Sequence, residues 1–154
     1  MARLSKELRA ALDSDCAHSL EGVATRLRPG DLDALVEQVE TATKPQRRQN
    51  AISLLGRSRH AEAVPAIARV LPGIEEEGRC RAISALGNIG GVEAVEAIVR
   101  CLRDDSPQVR KFVAVALRGK DHPGAAAARA TLARDDVAWV RKALRPRRKR
   151  KGRG

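Results

Sequence analysis

The chain has 154 residues, enough for one domain with a buried core, and 43% of them are hydrophobic although only Phe112 and Trp139 are aromatic. Its net charge of +11 is unevenly spread: residues 1–140 hold 21 Lys+Arg against 19 Asp+Glu, whereas residues 141–154 add nine basic residues and no acid. No apolar stretch approaches the roughly 20 residues that span a membrane, and MARLSKELRAALDSD lacks the apolar run of a signal peptide, so a cytoplasmic protein is expected.

Along the chain, apolar residues at helical spacing and recurrent breaks predict helices near 3–13, 15–28, 31–43, 46–57, 61–71, 77–88, 92–103, 107–118, 122–134 and 136–145. No segment shows strand alternation. Val64, Ile67, Ala68 and Leu71 mark one buried stripe, and Val95, Ile98, Val99 and Leu102 repeat it. Start signals fall between these segments: Gly30-Asp31, Thr43-Lys44-Pro45-Gln46 with capping-box spacing, Ser106-Pro107, and the pair Asp135-Asp136.

The segments repeat. Arg48, Arg79, Arg110 and Arg141 stand 31 residues apart, and residues 51–71 match residues 82–102 at 12 of 21 positions without a gap. A period in this range marks stacked helical units, each of which buries its apolar face only against its neighbours. Leu32, Leu35, Val36 and Val39 match the stripe of residues 64–71 at an offset of 32, which adds a degenerate first unit. The expected organisation is therefore an all-α solenoid of about four helical hairpins over residues 1–144. It divides into an N-terminal cap at 1–44, repeats at 45–76, 77–106 and 107–136, a capping half-repeat at 137–144, and a basic tail at 145–154. With small, alanine-rich side chains, stability is expected to come from many modest interfaces, with fraying at both ends.

The segments VRKFVAVAL, RCRAISALGNIGGVEAVEAIVRCL and DDSPQVR resemble the short HEAT-like repeats of phycobilisome lyase-type proteins, over roughly residues 45–144. The resemblance implies a right-handed superhelix with the second helix of each pair on the concave side. It also implies that the four arginines form an inter-repeat ladder, with Asp105 and Asp136, five residues before Arg110 and Arg141, among its carboxylates; the equivalent positions before Arg48 and Arg79 are Thr43 and Ile74. A guanidinium held by a neighbouring unit's carboxylate or by helix-end carbonyls would register the stack.

Enzymatic chemistry finds little footing in these residues. Cys16, Cys80 and Cys101 form no CxxC pair or metal spacing and are expected to be reduced packing residues. His60 and His122 occupy equivalent turns two units apart, roughly 16–20 Å at the usual helix spacing, and with His18 they read as solvated or locally hydrogen-bonded. Neither an adjacent His-Glu pair, as in HEAT-repeat iron hydroxylases, nor a set of aromatics, as in HEAT-like DNA glycosylases, is present. Glu62, Glu93, Glu96, Asp121 and Asp135 form no acid-base pairing with a histidine that spacing reveals. No catalytic residue, metal or cofactor is expected; an enzyme-associated subunit resembling bilin lyases is an alternative.

Charge carries the functional reading. Arg141, Lys142, Arg145, Arg147, Arg148, Lys149, Arg150, Lys151 and Arg153 make a polycationic segment that Pro146 separates from the last helix; it is expected to be disordered when free and to engage a polyanion with steep salt dependence. Without aromatics it offers no base stacking, hence little sequence preference. Arg57 and Arg59 in one turn, with Arg118 and Lys120 two units on, are expected to form a basic ridge beside it. The outward residues of the second helices, Glu62, Pro65, Arg69, Glu93, Glu96, Arg100 and Arg103, form a mixed-charge surface suited to a polar protein partner. Trp139 replaces the Gln108 of the preceding unit, either closing the core, the preferred reading, or anchoring a partner. Together these features describe a non-enzymatic adaptor, monomeric outside its complex, that binds a protein and tethers it to RNA, DNA or a ribosomal particle. A pure protein-protein scaffold, with the tail serving only solubility or steering, is the competing reading.

Overall fold

The computed structural model describes residues 4–146 and contains, among these, helices and turns with no strand. The helices are α1 (Lys6–Leu12), α2 (Ala17–Ala24), α3 (Pro29–Thr41), α4 (Pro45–Ser58), α5 (Val64–Val70), α6 (Glu76–Ile89), α7 (Val92–Val99), α8 (Pro107–Leu117), α9 (Pro123–Leu132) and α10 (Ala138–Ala143). Each expected helix exists, with ends trimmed by local chemistry. The segment expected as one helix over 61–71 is α5 flanked by two 3-10 turns, Ala61–Ala63 and Leu71–Gly73. Pro65 and Pro72 supply no N–H there, and Pro72 lies just past the last residue of α5.

Caps explain several starts. Ser5 accepts from the Leu8 N–H at 3.2 Å and Ser106 from the Val109 N–H at 3.4 Å. Asp31 reaches back to the Arg28 N–H at 2.9 Å while Pro29 opens α3. Thr43 does not cap α4 as its spacing suggested: the capping residue is Lys44 and Pro45 is the first helical position. The proline's preset φ and missing N–H make a side-chain cap less necessary.

Helices α4, α6, α8 and α10 pack as one row and α3, α5, α7 and α9 as a second. Between the rows lies the core, where Ile52, Leu55, Ile83, Leu86 and Leu117 of the first helices meet Val64, Ile67, Val95, Ile98 and Leu132 of the second. The stripes read from the sequence face inward as expected. At Gly56 the neighbouring first helices α4 and α6 come very close, because a Cβ there would stand 2.7 Å from Ala85 Cα and Cβ. One unit on, the equivalent Gly87 would meet Ala116 Cβ at 3.1 Å. Small residues at this repeated position let the first helices approach backbone to backbone.

At the N-terminal end α1 and α2 close the stack against α4. Asn50, only 1% exposed, donates through Nδ2 to the Leu12 and Ser14 carbonyls, both at 2.9 Å. It thereby satisfies orphan carbonyls at the end of α1. The equivalent residues in later units, Arg81 and Phe112, are only half-buried, so this latch belongs to the end of the array.

Candidate interaction surfaces

The four periodic arginines line the junctions between units. Arg79 donates from Nε and Nη2 to both carboxylate oxygens of Asp104, at 2.9 and 3.2 Å, and from Nη1 to the Ile74 carbonyl at 2.9 Å. Arg110 repeats the arrangement with Asp135 at 2.8 and 3.1 Å and the Asp104 carbonyl at 2.9 Å. The ladder is therefore present, but its main carboxylates are Asp104 and Asp135, one residue before the expected Asp105 and Asp136. Asp105 contributes only its carbonyl to Arg110, and Asp136 makes a secondary contact at 3.1 Å. The reason is local: Asp104 and Asp135 also accept from the Ser106 and Val137 N–H groups at 2.9 and 3.0 Å. Those tight turns aim the carboxylate at the arginine of the preceding first helix.

Geometry and electrostatics agree that this ladder is structural. The Arg110 and Asp135 side chains are 13% and 7% exposed. The Arg110 hydrogen bond, aided by the Val137 N–H and opposed by burial, holds the Asp135 carboxyl below the usual carboxylate range. Asp104 and Asp135 in turn raise Arg79 and Arg110 above their ordinary values. Arg48, with Gly73 at the position of those aspartates, bonds instead to the Val39 and Ala42 carbonyls at 2.9 and 2.6 Å. Arg141 is exposed and donates to the Asp135 carbonyl.

Of the basic residues assigned to polyanion binding, Arg141, Lys142 and Arg145 are exposed at the end of the stack, and Arg147, Arg148, Lys149, Arg150, Lys151 and Arg153 lie outside the described residues. The expected disorder of the tail falls mainly on that same segment. Arg118 donates to the Arg145 carbonyl at 2.6 Å, which brings the turn after α8 against the start of the tail. The rest of the ridge is not a free cationic edge. Lys120 is half-buried and donates to the Gly87 carbonyl at 2.9 Å, and Arg57 pairs with Glu21 at 3.3 Å. Arg59 is exposed, in a left-handed turn with φ 54°.

The residues assigned to a protein partner, Glu62, Arg69, Glu93, Glu96, Arg100 and Arg103, are all exposed on or beside the second-helix row. Arg69 is tied to Glu40 across α5 and α3. Trp139 does not close the core: it is 45% exposed, and the adjacent Val140 is the buried residue. The one-residue step turns Trp139 about 100° away from Val140 around α10, and the inward position already carries valine, as at Val109. Lys111 Nζ sits 5.9 Å from the centre of the Trp139 ring, a cation–π arrangement.

Sequence reasoning missed the outer face of the first helices. A depression of about 620 Å³ runs across it, lined among others by Ser53 and Arg57 of α4, Glu77, Arg81 and Asn88 of α6, and Phe112 of α8. Val115, 42% exposed, adds an apolar position on the same helix as Phe112. The signal was available in Phe112, Val115 and Trp139, which break the otherwise polar outward pattern of these helices.

The cysteines and membrane expectation can be placed directly. Cys16 is exposed, Cys80 buried and Cys101 half-buried, all as free thiols, and burial pushes the Cys80 and Cys101 thiols up to about 11. Among the described residues no helix is long and apolar enough to cross a membrane.

Comparison with known proteins identifies the repeat. The family profile described as HEAT repeats matches residues 32–106 and 73–145. No curated protein matches the chain. The crystal structure of an engineered protein is similar, with a TM-score of 0.56 at 21% identity, covering 88% of this chain and 66% of that one. The chain thus spans just under two thirds of the length of that structure, and the likeness is one of fold. Tandem units in two rows, joined by an arginine at each junction and matched over most of the chain by the repeat profile, place this protein in the HEAT-repeat family.

Proposed function

We propose that the protein is a non-enzymatic cytoplasmic adaptor whose helical stack holds a protein partner while its basic C-terminal segment tethers the complex to a polyanion, RNA, DNA or a ribosomal particle. HEAT repeats are a protein-interaction scaffold, and the tether adds to that role. The charge partition carries the reading: nine of the basic residues and none of the acids lie in residues 141–154, beyond a body that is almost neutral. Arg141, Lys142 and Arg145 are exposed where this segment leaves the stack, and Arg118 adjoins it. Such a cluster neutralises several phosphates at once, releasing counterions, so affinity falls steeply with salt.

The experiment compares the full chain with a version ending at residue 144, titrated with a generic RNA duplex and a DNA duplex at 50 and 200 mM salt. The full chain binds at low salt, loses at least about tenfold in affinity at high salt, and the truncated chain loses most binding at both. Equal affinity of the two chains refutes the tether.

A pure protein-protein scaffold is favoured by a separate observation, the exposed Trp139 under Lys111 on α10, which ends the first-helix row. Aromatic anchors of this kind dominate interface energies. On that reading, Trp139→Ala abolishes capture of the protein partner from nuclease-treated extract while tail removal leaves it intact.

A further inference from the structure

We propose that Asp33, His60 and Glu62 form a binding site for one divalent transition-metal cation, of which zinc is the representative. Separate elements bring the three residues together: Asp33 stands in the first turns of α3, His60 in the turn after α4, and Glu62 in the 3-10 turn before α5. One ligand atom from each lies within 4.8 Å of the other two, and His60 Nε2 is 3.8 Å from Glu62 Oε2. Tetrahedral coordination at about 2.0–2.1 Å needs donor separations of about 3.3 Å. Asp33 and Glu62 are exposed, so rotation of their side chains closes the remaining gap of at most about 1.5 Å.

His60 distinguishes this group from an ordinary acidic surface. Its side chain is only 16% exposed, and its Nε2 is shielded from solvent with no hydrogen-bond partner. A polar atom in that state calls for a partner. The backbone fixes the ring's base: the His60 N–H donates to the Leu55 carbonyl at 3.2 Å, and its carbonyl accepts from Ala63 at 3.1 Å. The ring starts from a fixed backbone position and is largely buried, while the two carboxylates are exposed and can adjust. Without a cation, two carboxylates at this separation repel; with one, both are compensated.

The repeat itself serves as an internal comparison. One unit on from His60 and Glu62 stand Gly91 and Glu93, and one further His122 and Gly124. At the matching offset Asp33 becomes Pro65. His122, in the equivalent turn, is already occupied: its Nδ1 accepts from the Gly124 N–H at 3.0 Å and caps α9. Only the first junction assembles an imidazole and two carboxylates, so the constellation is not part of the packing that every unit shares. One nitrogen and two oxygen donors suit zinc, manganese or iron(II) and leave a coordination position open. The bound ion would join α3 of the first unit to the turn of the next.

The test uses the full chain, stripped with a chelator and titrated with Zn²⁺ against a chromophoric zinc indicator, alongside His60→Ala, Asp33→Asn and the control His122→Ala. One equivalent binds to the wild type and to His122→Ala. Affinity drops at least tenfold in Asp33→Asn and further in His60→Ala, and added zinc raises Tm of the wild type but not of Asp33→Asn. Asp33 is exposed, so its variant keeps the test valid should His60→Ala unfold. The proposal is overturned if no equivalent binds, or if Asp33→Asn binds zinc as tightly as the wild type.

Discussion

At the scale of single residues, the arginine ladder makes the sharpest demand. Arg110 directs its fork to Asp135 and Nη1 to the Asp104 carbonyl, so one side chain joins α8 to the turns that precede α8 and α10. Asp135→Asn removes the charge of this largely buried pair while nearly preserving shape, and is expected to destabilise the fold by roughly 1–3 kcal/mol at pH 7. The effect carries a pH signature. Because the folded Asp135 carboxyl titrates below its unfolded value of about 3.9, the unfolded chain binds more protons between the two. The contribution is therefore complete above the unfolded value and lost as pH falls through the folded one. Urea melts of both chains at pH 7 and pH 3 should show the gap between them shrinking at the lower pH; a constant gap would exclude the ion pair as its cause.

Between elements, the decisive contact is the meeting of Gly56 with Ala85. Glycine inside an exposed helix costs about 0.5–1 kcal/mol relative to alanine, so Gly56→Ala ought to stabilise α4 if propensity ruled. Here a Cβ would stand 2.7 Å from the backbone of α6, and neither helix can yield without disturbing the core between the rows. We expect Gly56→Ala to destabilise despite its better propensity, and Gly56→Val to cost roughly 1–3 kcal/mol or more. Gly87→Ala, whose nearest contact is a methyl at 3.1 Å, should cost less. Denaturant midpoints for the three variants rank these effects directly, and a stabilising Gly56→Ala would show that α4 and α6 are farther apart than described.

For the whole molecule, the arrangement is close to one-dimensional: units contact their neighbours and little else. The middle helices α4 and α6 are covered on both sides along the row, whereas α1, α2 and α10 end it. Amide exchange is accordingly expected to be slowest in α4 and α6 and fastest in α10 and α1, with the Asn50 latch slowing α1 relative to α10. Uniform protection from end to end would indicate cooperative unfolding that this contact pattern does not provide. The same linearity gives the two rows independent outer faces, one polar and mixed in charge, the other carrying the depression and Trp139.

Helix number, unit length, the inward stripes and the charge partition were all legible in the amino-acid order. They are periodic or local properties: a residue's neighbours at i+3, i+4 and i+31 decide them, and each position is checked by its repeats. What needed the tertiary structure was whatever joins residues across units. The pairing of Arg110 with Asp135 rather than Asp136, the outward turn of Trp139, the capture of Lys120 by the Gly87 carbonyl and the meeting of Asp33 with His60 and Glu62 all depend on how far one helix is rotated and offset against the next. A one-residue step along a helix turns a side chain by about 100°. Spacing along the chain therefore selects which junction a residue belongs to, and only the packed array selects its partner.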